Sequence, residues 1–129
     1  EQGVELVWYA FHDMVGGEIY VKKIPSMKVT DIARVVAPDA KQETIGIRPG
    51  EKLHEQMIGI EDSYYTYEYD EHFKILPAIN GWWNDVKRIK NGKKVSEGFS
   101  YTSDNNKNWM KESELEAWLK SNFDKIGDI

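Results

Sequence analysis

The chain has 129 residues, 40% hydrophobic, 30% charged and 12% aromatic, enough to bury one core and too few for two. Seventeen basic against twenty-two acidic side chains leave a net charge of −5, the wrong sign for a sequence-independent nucleic-acid binder. Zero cysteines exclude a disulfide scaffold, thiolate zinc sites and a cysteine nucleophile and lean toward a cytoplasmic setting; no run of about 20 apolar residues and no signal-peptide pattern provides a membrane span.

The opening stretch reads as helix, with Val4, Val7, Phe11, Met14 and Val15 on one face at spacings of three and four. No N-cap residue precedes it and the first residue is Glu1, so the expectation is a piece from which something N-terminal has been removed. Gly16-Gly17 ends the helix, and the alternation in Glu18 to Ile24 predicts a strand with Ile19 and Val21 on one face, closed by Pro25. Ser26, or Thr30 with Asp31, can cap a second helix whose Val29, Ile32, Ala33, Val35 and Val36 point inward and which stops at Ala37-Pro38. A short strand is predicted over Gln42 to Ile47, broken by Arg48-Pro49-Gly50, with helical spacing resuming from Glu51 to Ile58. Helix alternating with strand predicts an α/β fold, a small partly parallel sheet with covering helices.

The second half changes character. Tyr65, Tyr67 and Tyr69 alternate with polar residues, and Phe73 to Leu76 predicts a further strand before Pro77. Asn80-Gly81 and Asn91-Gly92 are turn dipeptides, the second placing a hairpin between Val86 to Lys90 and Lys93 to Val95. Residues 103–108 form a polar loop. Ser113 with Glu116 reads as the capping box of a final helix whose apolar face is Leu115, Trp118, Leu119 and Phe123. The expected organisation is a core over residues 1–59 and an extension over residues 60–129 within the same domain.

No dinucleotide fingerprint and no phosphate-binding glycine loop occurs, and no tyrosine is followed four residues on by lysine. His12, His54 and His72 are scattered, so neither a metal set nor a catalytic residue is assigned. One local pattern carries chemistry, Arg48-Pro49-Gly50-Glu51-Lys52. A guanidinium is a planar fork matched to two phosphate oxygens, and an ionised carboxylate can accept from both hydroxyls of a ribose diol. Pro49-Gly50 supplies the turn and is expected to set Glu51 at the mouth of a helix, where an anion is favoured. The bland alternative is an ordinary strand-ending turn with an acidic residue in a first helical turn.

Several blocks in order carry a wider resemblance. Gly16-Gly17-Glu18-Ile19-Tyr20-Val21, Lys23 to Val29, Gly46 to Glu55, Tyr65 to Tyr69 and Glu97 to Asn106 resemble the C-terminal part of inverting UDP-N-acetylglucosamine 4,6-dehydratases, of the extended short-chain dehydrogenase/reductase superfamily. In bacteria these enzymes open pseudaminic acid synthesis or related surface-polysaccharide pathways. The resemblance implies a parent with an N-terminal Rossmann lobe holding NADP and a C-terminal substrate-binding lobe, the present chain, which itself binds no cofactor. It implies oxidation at C4 of the sugar, loss of water across C5 and C6, and return of the hydride to C6 with inversion at C5. The catalytic residues would lie in the Rossmann lobe, while Arg48 would contact the UDP pyrophosphate and Glu51 the uridine ribose. The partners implied are a UDP-sugar, the Rossmann lobe and further copies in a homo-oligomer.

Four other features have competing readings. Pro25 and Met27 can line a uracil pocket or fill a core. Trp82-Trp83 reads as two opposed aromatics of a strand or as a carbohydrate platform, and the three alternating tyrosines as one half-buried strand face or an interface. Glu68, Asp70 and Glu71 beside His72 read as a solvated strand edge rather than a metal site. For the chain as a whole, the alternatives to a dehydratase lobe are a non-catalytic binding or assembly module and the same lobe of a nucleotide-sugar epimerase or retaining dehydratase.

Overall fold

A computed structural model describes residues 2–126, with side chains described as far as residue 122. The chain divides into two compact units that do not follow the expected boundary at residue 59, because each is built from two separate stretches. One comprises Glu1–Ile24 with Gln56–Thr102, the other Pro25–Glu55 with Ser103–Ile129.

The first unit holds α1 (Gln2–Asp13), β1 (Ile19–Lys22), β2 (Gln56–Ile58), β3 (Thr66–Glu68), β4 (His72–Ile75), the single-turn helix α3 (Val86–Ile89), β5 (Lys93–Lys94) and β6 (Tyr101–Thr102). Four strands pair in the order β1-β4-β3-β5 and two as β2-β6, every pair antiparallel. The mixed α/β character stands, but the partly parallel sheet is corrected. Among the described residues the parallel pairing is an isolated bridge, Ser26 with Trp109, in the other unit.

Period-2 alternation divides the larger sheet into two chemically different faces. Val21, Phe73 and Ile75 join Ile58 and Tyr101 in the buried apolar core, with Tyr65, Val95 and Phe99 packed on it. Tyr20, Lys74 and Tyr67 stand opposite one another across β1, β4 and β3 on the reverse face. The expected tyrosine ladder is not a single face, since a 3-10 turn over Ile60–Tyr65 takes Tyr65 out of the strand and into the core.

The second unit contains α2 (Val29–Val36) and α4 (Glu112–Ile126), which pack together. Ser26 donates its amide to Asn108 and accepts from the amide of Met110, both at 2.8 Å, while Arg34 and Glu112 form an ion pair at 3.3 Å. Among the described side chains of α4, Leu115 is buried and Trp118, expected on the same face, is exposed. The helix N-terminus lies two residues before the expected box, where Glu114 reaches back to the amide of Lys111 at 2.7 Å. Ser113 is thus inside the helix, Glu116 pairs with Lys120, and Phe123 lies outside the described side chains.

Three expected elements are absent, each for want of a partner at the expected place. Residues 42–47 are irregular and exposed with no neighbouring strand. Residues 51–55 are irregular, and Gln56–Ile58 becomes a strand because β6 pairs with it and the core accepts Ile58. The hairpin over Val86 to Val95 is replaced by α3, whose N-cap Asp85 accepts from Lys87 at 2.9 Å, and by β5, which pairs with β3.

Candidate functional site

Arg48 to Glu51 form a turn closed by the amide of Glu51 donating to the carbonyl of Arg48 at 3.0 Å. Proline at its second position and glycine with φ of 88° at its third are the chemistry of a type II turn, which needs a positive φ there. The Glu51 carboxylate folds back over it. One oxygen accepts from the Arg48 backbone amide at 2.9 Å, the other from Arg48 Nε at 2.7 Å.

Arg48 and Glu51 are therefore brought together, with the arginine side chain 75% exposed. Its Nε is engaged, while its two terminal nitrogens make no hydrogen bond among the described residues. An ion pair this exposed contributes about 0–1 kcal/mol, so a ligand can displace it at small cost. The helix mouth expected at Glu51 is not formed, and no helix dipole acts on its carboxylate. What the turn offers is a guanidinium held by one edge, its outer edge free to take an anion bidentately.

The densest polar constellation lies instead on the reverse face of the sheet in the first unit, and sequence reasoning missed it. Asp13, at the C-terminal end of α1, accepts from Lys74, from Lys90 and, at 2.8 Å, from the hydroxyl of Tyr20. The Asp13 and Lys74 side chains are only 7% and 1% exposed. Burial pushes the Asp13 carboxyl up, but the three hydrogen bonds outweigh it and hold it down at about 2. Burial and the same carboxylate push the Tyr20 hydroxyl far up.

Next to it, Glu18 accepts from the amides of Val15 and Gly16 at 3.1 and 2.7 Å and from Arg88 at 2.6 Å. Burial works against this carboxylate too, and the backbone donors override it, so its value falls below the usual range. Arg88 stacks on Trp82 at 4.4 Å, and its Nε sits 3.4 Å from Asp85 as an ion pair without hydrogen-bond geometry. Two local signals announced the network. Lys74 is a charge between Phe73 and Ile75, and Asp13 is an anion at the negative end of a helix dipole, where it needs compensation.

The other side chains singled out in the sequence make contacts within the chain. His72 is buried, stacks on Tyr69 at 4.6 Å and lies 4.9 Å from the ring of Tyr9. Burial, and then the Lys74 ammonium, lower its pKa. Glu68 and Glu71 are engaged by Lys23 and Lys22, at 2.7 and 3.2 Å, and among the described residues no three His, Asp or Glu side chains converge as a metal site. Trp82 and Trp83 occupy a 3-10 turn rather than a strand, each under a cation, Arg88 and Lys94. Met27 is half-buried.

Comparison with known proteins adds the family context. Residues 1–77 match the family model described as polysaccharide biosynthesis protein. The inverting UDP-N-acetylglucosamine 4,6-dehydratase of Campylobacter jejuni is 48% identical over 120 residues, 89% of this chain and 36% of that protein. A UDP-glucose 4-epimerase of Rickettsia canadensis is 30% identical over 125 residues, 93% of this chain and 36% of that protein. The X-ray structure of Pen from Bacillus thuringiensis superposes with a TM-score of 0.74 at 25% identity, covering 94% of this chain and 35% of that one. The chain thus spans about a third of the length of the proteins it matches.

Proposed function

The chain belongs to the polysaccharide biosynthesis protein family, and from that premise we propose that it is the C-terminal, UDP-sugar-binding portion of a UDP-N-acetylglucosamine 4,6-dehydratase. The observation that carries this reading is the 48% identity over 120 residues to the Campylobacter enzyme, against 30% to the epimerase. The parent takes UDP-N-acetylglucosamine to a 4-keto-6-deoxy sugar with inversion at C5. NADP and the tyrosine, lysine and acidic residues of the chemistry belong to an N-terminal Rossmann lobe of the same protein. In this reading the parent works in the cytoplasm as a homo-oligomer.

Arg48 holds the pyrophosphate and Glu51 the uridine ribose. Two features support this assignment: the turn leaves the terminal guanidinium nitrogens unengaged, and each oxygen of Glu51 accepts one hydrogen bond and keeps capacity for a second. Glu51 also positions Arg48, since it fixes the Nε edge of the guanidinium.

Proton NMR of the intact parent incubated with UDP-N-acetylglucosamine tests the activity. The expected product carries a C6 methyl group and the coupling pattern of an inverted C5. A product changed only at C4 would instead make the parent an epimerase, and a retained C5 would make it a retaining dehydratase.

A further inference from the structure

Helix α1 is apolar on two opposite sides. Leu6, Ala10 and Asp13 are the partly buried side chains turned to its own unit, and Tyr9 on the same side, itself exposed, meets Tyr20 and His72. Val4, Val7, Trp8 and Phe11 repeat the same spacing two residues out of phase, about 200° around the helix, and all four are exposed. A surface helix carries one apolar stripe; one with two belongs inside a larger body. Trp8 and Phe11 are 63% and 69% exposed, so most of both rings is open beside the exposed Val4 and Val7, and the four form one contiguous apolar stripe rather than scattered surface residues.

The helix is nevertheless held firmly. It has no fully buried residue, and its C-terminal end is fixed by the contacts of the buried Asp13 side chain to Lys74, Lys90 and Tyr20. A polar anchor at one end sets the direction of a helix whose outer stripe is left open.

We infer that the Val4, Val7, Trp8 and Phe11 stripe of α1 is the docking surface for the N-terminal lobe of the same parent polypeptide, and that Asp13 is the positioning residue that aims it. The inference rests on the reading above, in which about two thirds of the parent lies outside this chain, as the 36% coverage of the dehydratase indicates. The stripe carries no charge, so it suits a permanent apolar contact rather than a steered, transient one.

The test uses the intact parent. Because this chain has no cysteine, Phe11→Cys places one thiol on the stripe, and its maleimide labelling rate is read by peptide mapping against the same protein unfolded in guanidinium. Labelling slowed by about tenfold or more, unchanged over about a hundredfold dilution, is the expected result. Labelling at the unfolded rate overturns the inference, and so does protection that disappears on dilution, which would assign the stripe to a second copy. Val7→Cys gives the same reading should the first variant fail to fold. Adding Asp13→Asn should raise the labelling rate severalfold while UDP still binds; an unchanged rate removes Asp13 from the role. UDP binding by the same samples reports separately on the reading of the turn, so the two failures are distinguishable.

Discussion

Asp13 is an anion at the wrong end of a helix, and its folded-state chemistry follows from that misplacement. Taken out of water at the negative pole of α1, it persists only because Lys74, Lys90 and Tyr20 donate to it. Removing one member of a buried ion pair leaves the other uncompensated, so Lys74→Ala should destabilise the first unit by about 3 kcal/mol, toward the lower end of such losses because Lys90 remains. Urea denaturation followed by tryptophan fluorescence measures it. The pH dependence has a definite sign. The Asp13 carboxyl titrates at about 2, below its ordinary 3.8, so its stabilisation is complete above the ordinary value and is lost as the pH falls toward 2. His72 acts at milder acidity. Its folded value lies below 6.5, so the unfolded chain takes up the proton first and stability declines as the pH drops below 6.5. Melting temperatures recorded between pH 7.5 and pH 5 should fall in the wild type and fall less in His72→Phe.

Secondary-structure elements were legible where local chemistry decided them. α1 ends before Gly16-Gly17, β1 alternates between its two faces, and α2 stops before Pro38, each by rules acting within a few residues. β2, α3 and β5 were not, because each is decided by residues far away in sequence. Gln56–Ile58 is a strand only because Tyr101–Thr102 lies beside it, and Lys93–Lys94 pairs with β3 rather than with the segment just before it. The Asn91-Gly92 dipeptide marked a true turn, but it joins a helical turn to β5 where a hairpin was expected. That turn supports a sharp prediction. A Cβ on Gly92 would lie 2.5 Å from Cζ and from the hydroxyl oxygen of Tyr69, whose ring is stacked on His72 and whose hydroxyl donates to Ile89 at 2.7 Å. Neither partner leaves the ring room to retreat, so Gly92→Ala should cost about 1–3 kcal/mol, read as a lowered melting temperature.

On the scale of the whole molecule, the order of the chain and the order of its packing differ. The polypeptide leaves the first unit after Ile24, returns at Gln56 and leaves again after Thr102, so a boundary drawn along the sequence could not find either unit. The pairing of the buried charges was hidden for the same reason, since Asp13 meets Lys74 across 61 residues. The Arg48 turn was legible because four consecutive residues make it, although the fold-back of Glu51 onto Arg48 and the missing helix beyond were not. The central claim, that this turn holds a nucleotide diphosphate, is tested most directly by calorimetric titration of UDP into the intact parent and its Arg48→Ala and Arg48→Lys variants. A charge-assisted bond contributes about 1.5–3 kcal/mol, so Arg48→Ala should weaken binding by roughly 10- to 150-fold, and Arg48→Lys should recover little of a bidentate contact. Dissociation constants unchanged in both variants would contradict the account.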